Sequence, residues 1–135
     1  MPIDSAITFK TRAPVTEDDL NTLFGKAYNK KMSAPFHKIL NTTLTWVTAH
    51  KNGELVGWIH VAWDGFVHAL LIDRTAVDDE SGAIRTELVK QAIKTIERDH
   101  PTVFKIHMDL KESEMAEFIE LGLQPLPGGI LQLKR

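Results

Sequence analysis

The side chains best suited to chemistry in this chain are carboxylates and imidazoles set into apolar, strand-like segments. Asp73 and Thr75 follow the run Ala69-Leu70-Leu71-Ile72 and fall on one side of a strand, while His107 and Asp109 share one face of another, Val103 to Leu110. A carboxylate or imidazole in such a place can accept a proton if its surroundings tune its pKa. Asp73 is the candidate base or substrate-binding carboxylate; the alternative is a structural carboxylate bonded to backbone, or a solvated charge at a strand end. Asp109 is better read as starting the loop and helix that follow it. The chain has no cysteine, which removes disulfides, thiolate metal sites and acyl-cysteine chemistry, and fits a reducing compartment. Its six histidines include no His-x-x-x-His, so no metal is expected.

These residues need elements to position them, and periodicity supplies the elements. Ile7 to Lys10 alternates as a short strand; Thr16 offers a hydroxyl cap and Glu17, Asp18 and Asp19 acidic charge to a helix whose apolar stripe is Leu20, Leu23, Phe24 and Ala27. Ala34 to Leu40 forms a second short helix. Asn52-Gly53 provides both positive-φ positions of a tight hairpin between Leu44–His50 and Leu55–Trp63, in a register where Trp46 faces Ile59 and Val47 faces Trp58. A second hairpin at Asp64-Gly65 pairs His68 with Val61, turns His60 to the opposite face and leads into the apolar strand that carries Asp73. Ile84, Leu88, Val89, Ala92, Ile93 and Ile96 mark a long amphipathic helix from Ala83 to about Arg98. A strand over Val103–Leu110, a helix over Ser113–Leu121 closed by Gly122, and a last strand over Ile130–Leu133 complete the pattern. The class is α+β: an antiparallel meander, then a helical connection into one parallel pair.

With 135 residues, 43% hydrophobic and 25% charged, and a net charge of -2, the chain is read as a single domain, 1–135, with one core. That charge balance argues against a nucleic-acid backbone as partner. No stretch reaches the length of a membrane span, and residues 1–10 lack a basic, then apolar, leader, so a cytoplasmic protein is expected. Lys26, Lys30, Lys31 and Lys38 could shape an acceptor pocket, although a solvated face is the plainer reading.

The element order, with a long helix after the fourth strand, resembles the GNAT N-acetyltransferases over most of the chain. Local words carry the resemblance further. Leu55-Val56-Gly57 is similar to the hydrophobic-hydrophobic-Gly of the family's second hairpin strand, Ala62-Trp63-Asp64-Gly65 with His68 to Asp73 looks like one small bacterial branch, and Phe118 to Leu123 resembles the Tyr-x-x-x-Gly-Phe that closes the last helix. The resemblance implies a GNAT-like mixed sheet with a splayed parallel pair. It also implies acetyl-CoA as co-substrate, an amine of a small molecule or protein as acceptor and direct transfer in a ternary complex, and it allows pairing of two copies through their sheets. The thioester and pantetheine would hydrogen-bond the backbone of Thr75, Ala76 and Val77. The diphosphate would sit on the start of the long helix, at Ser81, Gly82, Ala83, Ile84, Arg85 and Thr86, because a helix N-terminus has unpaired N–H donors and partial positive charge.

Here the chain departs from the family. Against Arg/Gln-x-x-Gly-x-Gly/Ala it reads Glu80-Ser81-Gly82-Ala83-Ile84-Arg85, with Asp78 and Asp79 just before. All three defining positions differ. Either Arg85 pairs with the phosphates, or Asp79 or Ser81 caps the helix and the acids serve its dipole. Phe118 stands where the family often has a proton-donating Tyr, and reads as core. A non-catalytic binding or regulatory module with a degraded donor site is therefore the alternative to an enzyme.

Overall fold

The computed structural model describes residues 3–135. Its elements are β1 (Ile7–Thr11), α1 (Glu17–Tyr28), α2 (Phe36–Leu40), β2 (Thr45–Lys51), β3 (Glu54–Trp63), β4 (His68–Ala76), α3 (Ala83–Asp99), β5 (Lys105–His107) and α4 (Glu112–Glu120). The five strands lie in sequence order in one sheet, antiparallel except for the parallel pair β4–β5. Helix α1 begins as the sequence indicates. The Thr16 hydroxyl accepts from the Asp19 N–H at 3.0 Å and the Asp19 carboxylate accepts from the Thr16 N–H at 2.9 Å, satisfying donors that the first turn cannot pair internally.

The two faces of the sheet are covered by different helices. On one, α1 and α2 bury Leu20, Leu23, Phe24 and Phe36 against Trp58. On the other, α3 lays Ile84, Leu88, Val89, Ala92 and Ile96 over Val47, Ala49, Ile59 and Val61. Gly57 sets how closely α3 approaches. A Cβ at this position would lie 3.0 Å from Ala49 Cβ, 3.1 Å from Ile84 Cγ2 and 3.2 Å from Leu88 Cδ1, so any side chain would push the first turn of α3 off the sheet.

Parallel pairing runs only from His68↔Lys105 to Leu70↔His107, whereas β4 continues to Ala76. Beyond Leu70 the two strands part. The result is the expected α+β sheet, an antiparallel meander ending in a splayed parallel pair.

Three expectations about register and extent are corrected. The Asn52-Gly53 turn forms with both residues at positive φ, but its register holds only for Lys51↔Glu54 and His50↔Leu55. Val56 is then an extra residue on β3, and Trp46 faces His60 while Val47 faces Ile59. Such a bulge increases local twist at a cost the alternation pattern does not reveal. The second connection is a four-residue loop, 64–67, held by the Asp64 carboxylate accepting from the N–H groups of Phe66 at 2.7 Å and His68 at 3.2 Å. His68 accordingly does not face Val61, which pairs with Leu71. The strand expected over Ile130–Leu133 does not form. Residues 123–135 have no regular structure, and Ile130 and Leu131 are 86% and 87% exposed.

Candidate functional site

The parting of β4 from β5 opens a cavity of about 550 Å³, lined among others by Leu70, Ile72, Asp73, Met108, Leu110 and Lys111. Its polar rim is created by a second irregularity. Trp58 pairs with Thr75 and His60 with Ile72, so Asp73 and Arg74 together oppose Ile59. Asp73 absorbs the extra length at φ 54°, a left-handed conformation that costs a non-glycine residue on the order of 1 kcal/mol. That turn brings the half-exposed Asp73 carboxylate to 3.7 Å from His60 Nε2, whose side chain is only 7% exposed. Neither His60 ring nitrogen nor Trp58 Nε1 has a hydrogen-bond partner among the described residues, and the two rings lie 5.9 Å apart. Buried polar atoms are seldom left unpaired.

The same bulge sends Arg74 towards α3 and α4. Its guanidinium forms a bidentate pair with Glu114, which also accepts from the Thr86 hydroxyl at 3.1 Å and from the Lys111 N–H at 3.0 Å. The guanidinium beside it, aided by those other donors, holds the Glu114 carboxyl well below the usual range, at about 2, against the opposing effect of burial. One carboxylate thus ties β4, α3 and α4 together along the wall of the opening.

At the start of α3 the chain supplies its own anion. The Asp79 side chain, 2% exposed, accepts from the Ile84 N–H at 2.8 Å and the Arg85 N–H at 3.0 Å. Arg85 closes over it, its guanidinium 3.2 Å from Asp79 Oδ2 and 2.9 Å from the Ala76 carbonyl oxygen. The Ser81 hydroxyl accepts from the Ala83 N–H at 3.3 Å, and Gly82 takes φ 77° at the helix boundary. Of the residues that the resemblance assigns to the donor, Ser81 to Thr86 therefore lie at the start of α3 with the amides of Gly82, Ala83, Ile84, Arg85 and Thr86 and the Arg85 side chain already engaged. Thr75 and Ala76 are buried in β4, where the Thr75 hydroxyl donates to the Asp73 carbonyl at 3.0 Å, and the Val77 N–H donates to the Val56 carbonyl.

Acetyl-CoA fits this framework in part. The opening beyond Leu70 matches a narrow, mostly apolar thioester arm, but the diphosphate has no free place at Ile84 and Arg85 in this arrangement. The neighbouring groove, about 540 Å³, exposes Glu54, Asp78 and Glu80 around Lys26, a surface that disfavours a polyanion.

Of the other sequence candidates, Asp109 shares the cavity with Asp73 and the rest are placed apart. His107 stacks on His68, with Nδ1 of His68 2.9 Å from Nε2 of His107, and Asp109 lies past the end of β5 on the cavity wall. Phe118 is 1% exposed in the core. Lys26, Lys30 and Lys31 border a wide depression beside α1, away from Asp73. Among the described residues no group of three or more His, Cys, Asp or Glu is placed to hold a metal, and no helix is long and apolar enough to cross a membrane. His60 was not singled out by the sequence; its one legible signal is an imidazole inside an otherwise apolar strand.

A mixed five-stranded sheet that splays between its parallel strands, with a long helix after the fourth, is the fold of the GNAT acetyltransferases. Solved structures agree. A GNAT family acetyltransferase from Streptococcus pneumoniae superposes with a TM-score of 0.67 at 20% identity, covering 96% of this chain and 98% of that one. An aminoglycoside acetyltransferase from an uncultured soil metagenomic sample, solved in complex with sisomicin, gives 0.62 at 13% identity over 99% and 98%. Glucosamine-6-phosphate N-acetyltransferase from Arabidopsis thaliana gives 0.64 at 9% identity over 93% and 98%. No protein-family model and no curated protein matches the sequence.

Proposed function

We propose that the protein transfers an acyl group, acetyl from acetyl-CoA in the first instance, to the amine of a small molecule within one ternary complex. The observation that carries this reading is the opening between β4 and β5 with Asp73 at its rim. The acceptor ammonium gives a proton to the Asp73 carboxylate, directly or through water, and the freed nitrogen attacks the thioester carbonyl carbon. The C–N bond forms, the tetrahedral adduct gives its second surplus N–H proton to solvent, and on collapse the C–S bond breaks. The sulfur leaves with the electron pair as a thiolate that takes its proton from solvent, since Phe118 has none to give, and Asp73 returns the first proton to water. Holding amine and thioester together supplies most of the rate by orientation. His60 acts as a positioning residue behind Asp73.

A small acceptor is preferred to a protein amine because two of the similar structures are described as acting on an aminoglycoside and a hexosamine phosphate. In the same proposal residues 1–135 work as one cytoplasmic domain, alone or paired through their sheets. A non-catalytic module is the competing reading, and the filled start of α3 is the observation on its side. The deciding experiment is calorimetric titration with acetyl-CoA and with S-acetylpantetheine, followed by a thiol-release assay against a panel of amino sugars and polyamines. Saturable donor binding and acceptor-dependent thiol release are expected. No binding of either donor at millimolar concentration would overturn the proposal.

A further inference from the structure

We infer that Asp79 takes the place of the donor's diphosphate, so that this chain recognises its thioester donor through the pantetheine arm and not through the nucleotide end. The inference rests on the acyl-transfer reading above and concerns which part of the donor is bound. A helix N-terminus attracts an anion because its first amides lack partners and its dipole leaves partial positive charge there. In this chain both needs are met internally. The two oxygens of the Asp79 carboxylate each take one of the amides of Ile84 and Arg85, at 2.8 and 3.0 Å.

The side chain that could have reached for a phosphate is used in the same cluster. Arg85 pairs with Asp79 Oδ2 and, through its other terminal nitrogen, donates to the carbonyl of Ala76. The carboxylate it covers is 98% shielded from solvent by side-chain area, so it is a packed element of the β4–α3 connection and not a mobile surface acid. Around it, Asp78 and Glu80 add two more negative charges, with Glu54 across the groove. An incoming diphosphate would have to displace a buried, doubly hydrogen-bonded carboxylate and then sit among acids.

The thioester arm meets no such obstacle. The opening lined by Leu70, Ile72, Met108 and Leu110 lies on the other side of Ala76 from the acidic groove and is largely apolar. A donor built only of acyl group and pantetheine places no charge in the acidic groove. Acetyl-CoA carries the same arm, with a nucleotide end that this chain leaves in solvent.

The test compares S-acetylpantetheine, which lacks nucleotide and diphosphate, with acetyl-CoA, by calorimetry and by initial rates with one acceptor. For the native protein, the two donors are expected to bind within about threefold of one another, because the diphosphate contributes little. In Asp79→Asn the internal anion is lost while one acceptor oxygen remains, and the preference for acetyl-CoA is expected to rise by about tenfold or more as the amides and Arg85 become available. A native preference for acetyl-CoA of about 100-fold or more, or weaker acetyl-CoA binding in the variant, would overturn the inference while leaving acyl transfer intact. Failure of both donors to bind would instead remove the acyl-transfer reading and this inference with it. If Asp79→Asn does not fold, the native comparison alone still decides.

Discussion

Two stretches near the C-terminal end of β4, one inside the strand and one just beyond it, treat charge in opposite ways. Around Asp73 the backbone is bent at a bulge, and a half-exposed carboxylate stands 3.7 Å from a buried imidazole that has no hydrogen-bond partner. Around Asp79 the carboxylate is buried, both of its oxygens accept from backbone amides, and a guanidinium covers it. Both are aspartates just past or within the same strand. What separates them is how far their oxygens are already used: both oxygens of Asp79 accept from amides and one also from Arg85, whereas the Asp73 carboxylate on the cavity lining keeps the acceptor capacity that the proposed base needs.

The contrast is most directly broken at Asp73. Asp73→Asn keeps the shape and removes the basicity, so turnover is expected to fall about 100-fold or more with little change in the Michaelis constant. A steady-state comparison with unchanged turnover would assign Asp73 to structure and erase the distinction.

The frame behind the cavity is tested at Glu114. Its folded pKa of about 2 lies below the ordinary 4.5, so its contribution is full above about pH 4.5 and is lost as pH falls towards 2. Allowing for solvent screening, that contribution is on the order of 2 kcal/mol. Urea denaturation at pH 6 and pH 3 should show Glu114→Gln destabilised at the higher pH and less dependent on acid than the native protein. Equal pH dependence in both would show that the pair with Arg74 does not hold the wall.

Two smaller effects sharpen the comparison from the α3 side. Gly57→Ala places a methyl against Ile84 and Leu88 and should cost about 1–2 kcal/mol in denaturant unfolding; no loss would mean that the first turn of α3 moves freely. Arg85→Ala should change acetyl-CoA affinity by less than about threefold, because the guanidinium serves Asp79 and the Ala76 carbonyl. A tenfold loss by calorimetry would show that Arg85 reaches the donor's phosphates and would make the two regions alike.

The parts of the fold that were legible in the sequence are those fixed by short-range physics. Asn52-Gly53 is a turn because both residues tolerate positive φ, α1 starts at Thr16 because a hydroxyl and an acid three residues apart cap each other, and α3 shows in its apolar spacing. Less legible were the bulges at Val56 and at Asp73–Arg74, where an added residue changes every later partner without changing composition. His60 escaped notice for that reason, since its approach to Asp73 depends on the second bulge. Ile130–Leu133 alternates as a strand should, but a strand also needs a partner, and none pairs with it among the described residues. For the start of α3 the sequence left two readings, Arg85 on a phosphate or Asp79 or Ser81 as the cap, and only the directions of the Ile84 and Arg85 amides distinguish them.

The junction of Arg74, Glu114 and Thr86 also bears on how the molecule opens. Because a single carboxylate joins β4, α3 and α4, helix α4 cannot peel away without breaking its bidentate pair with Arg74 and its hydrogen bond from Thr86 at once. Amide exchange in α4 should therefore follow the rates of α3 and β4 as one cooperative unit, and residues 123–135, which share none of these bonds, should exchange independently and sooner.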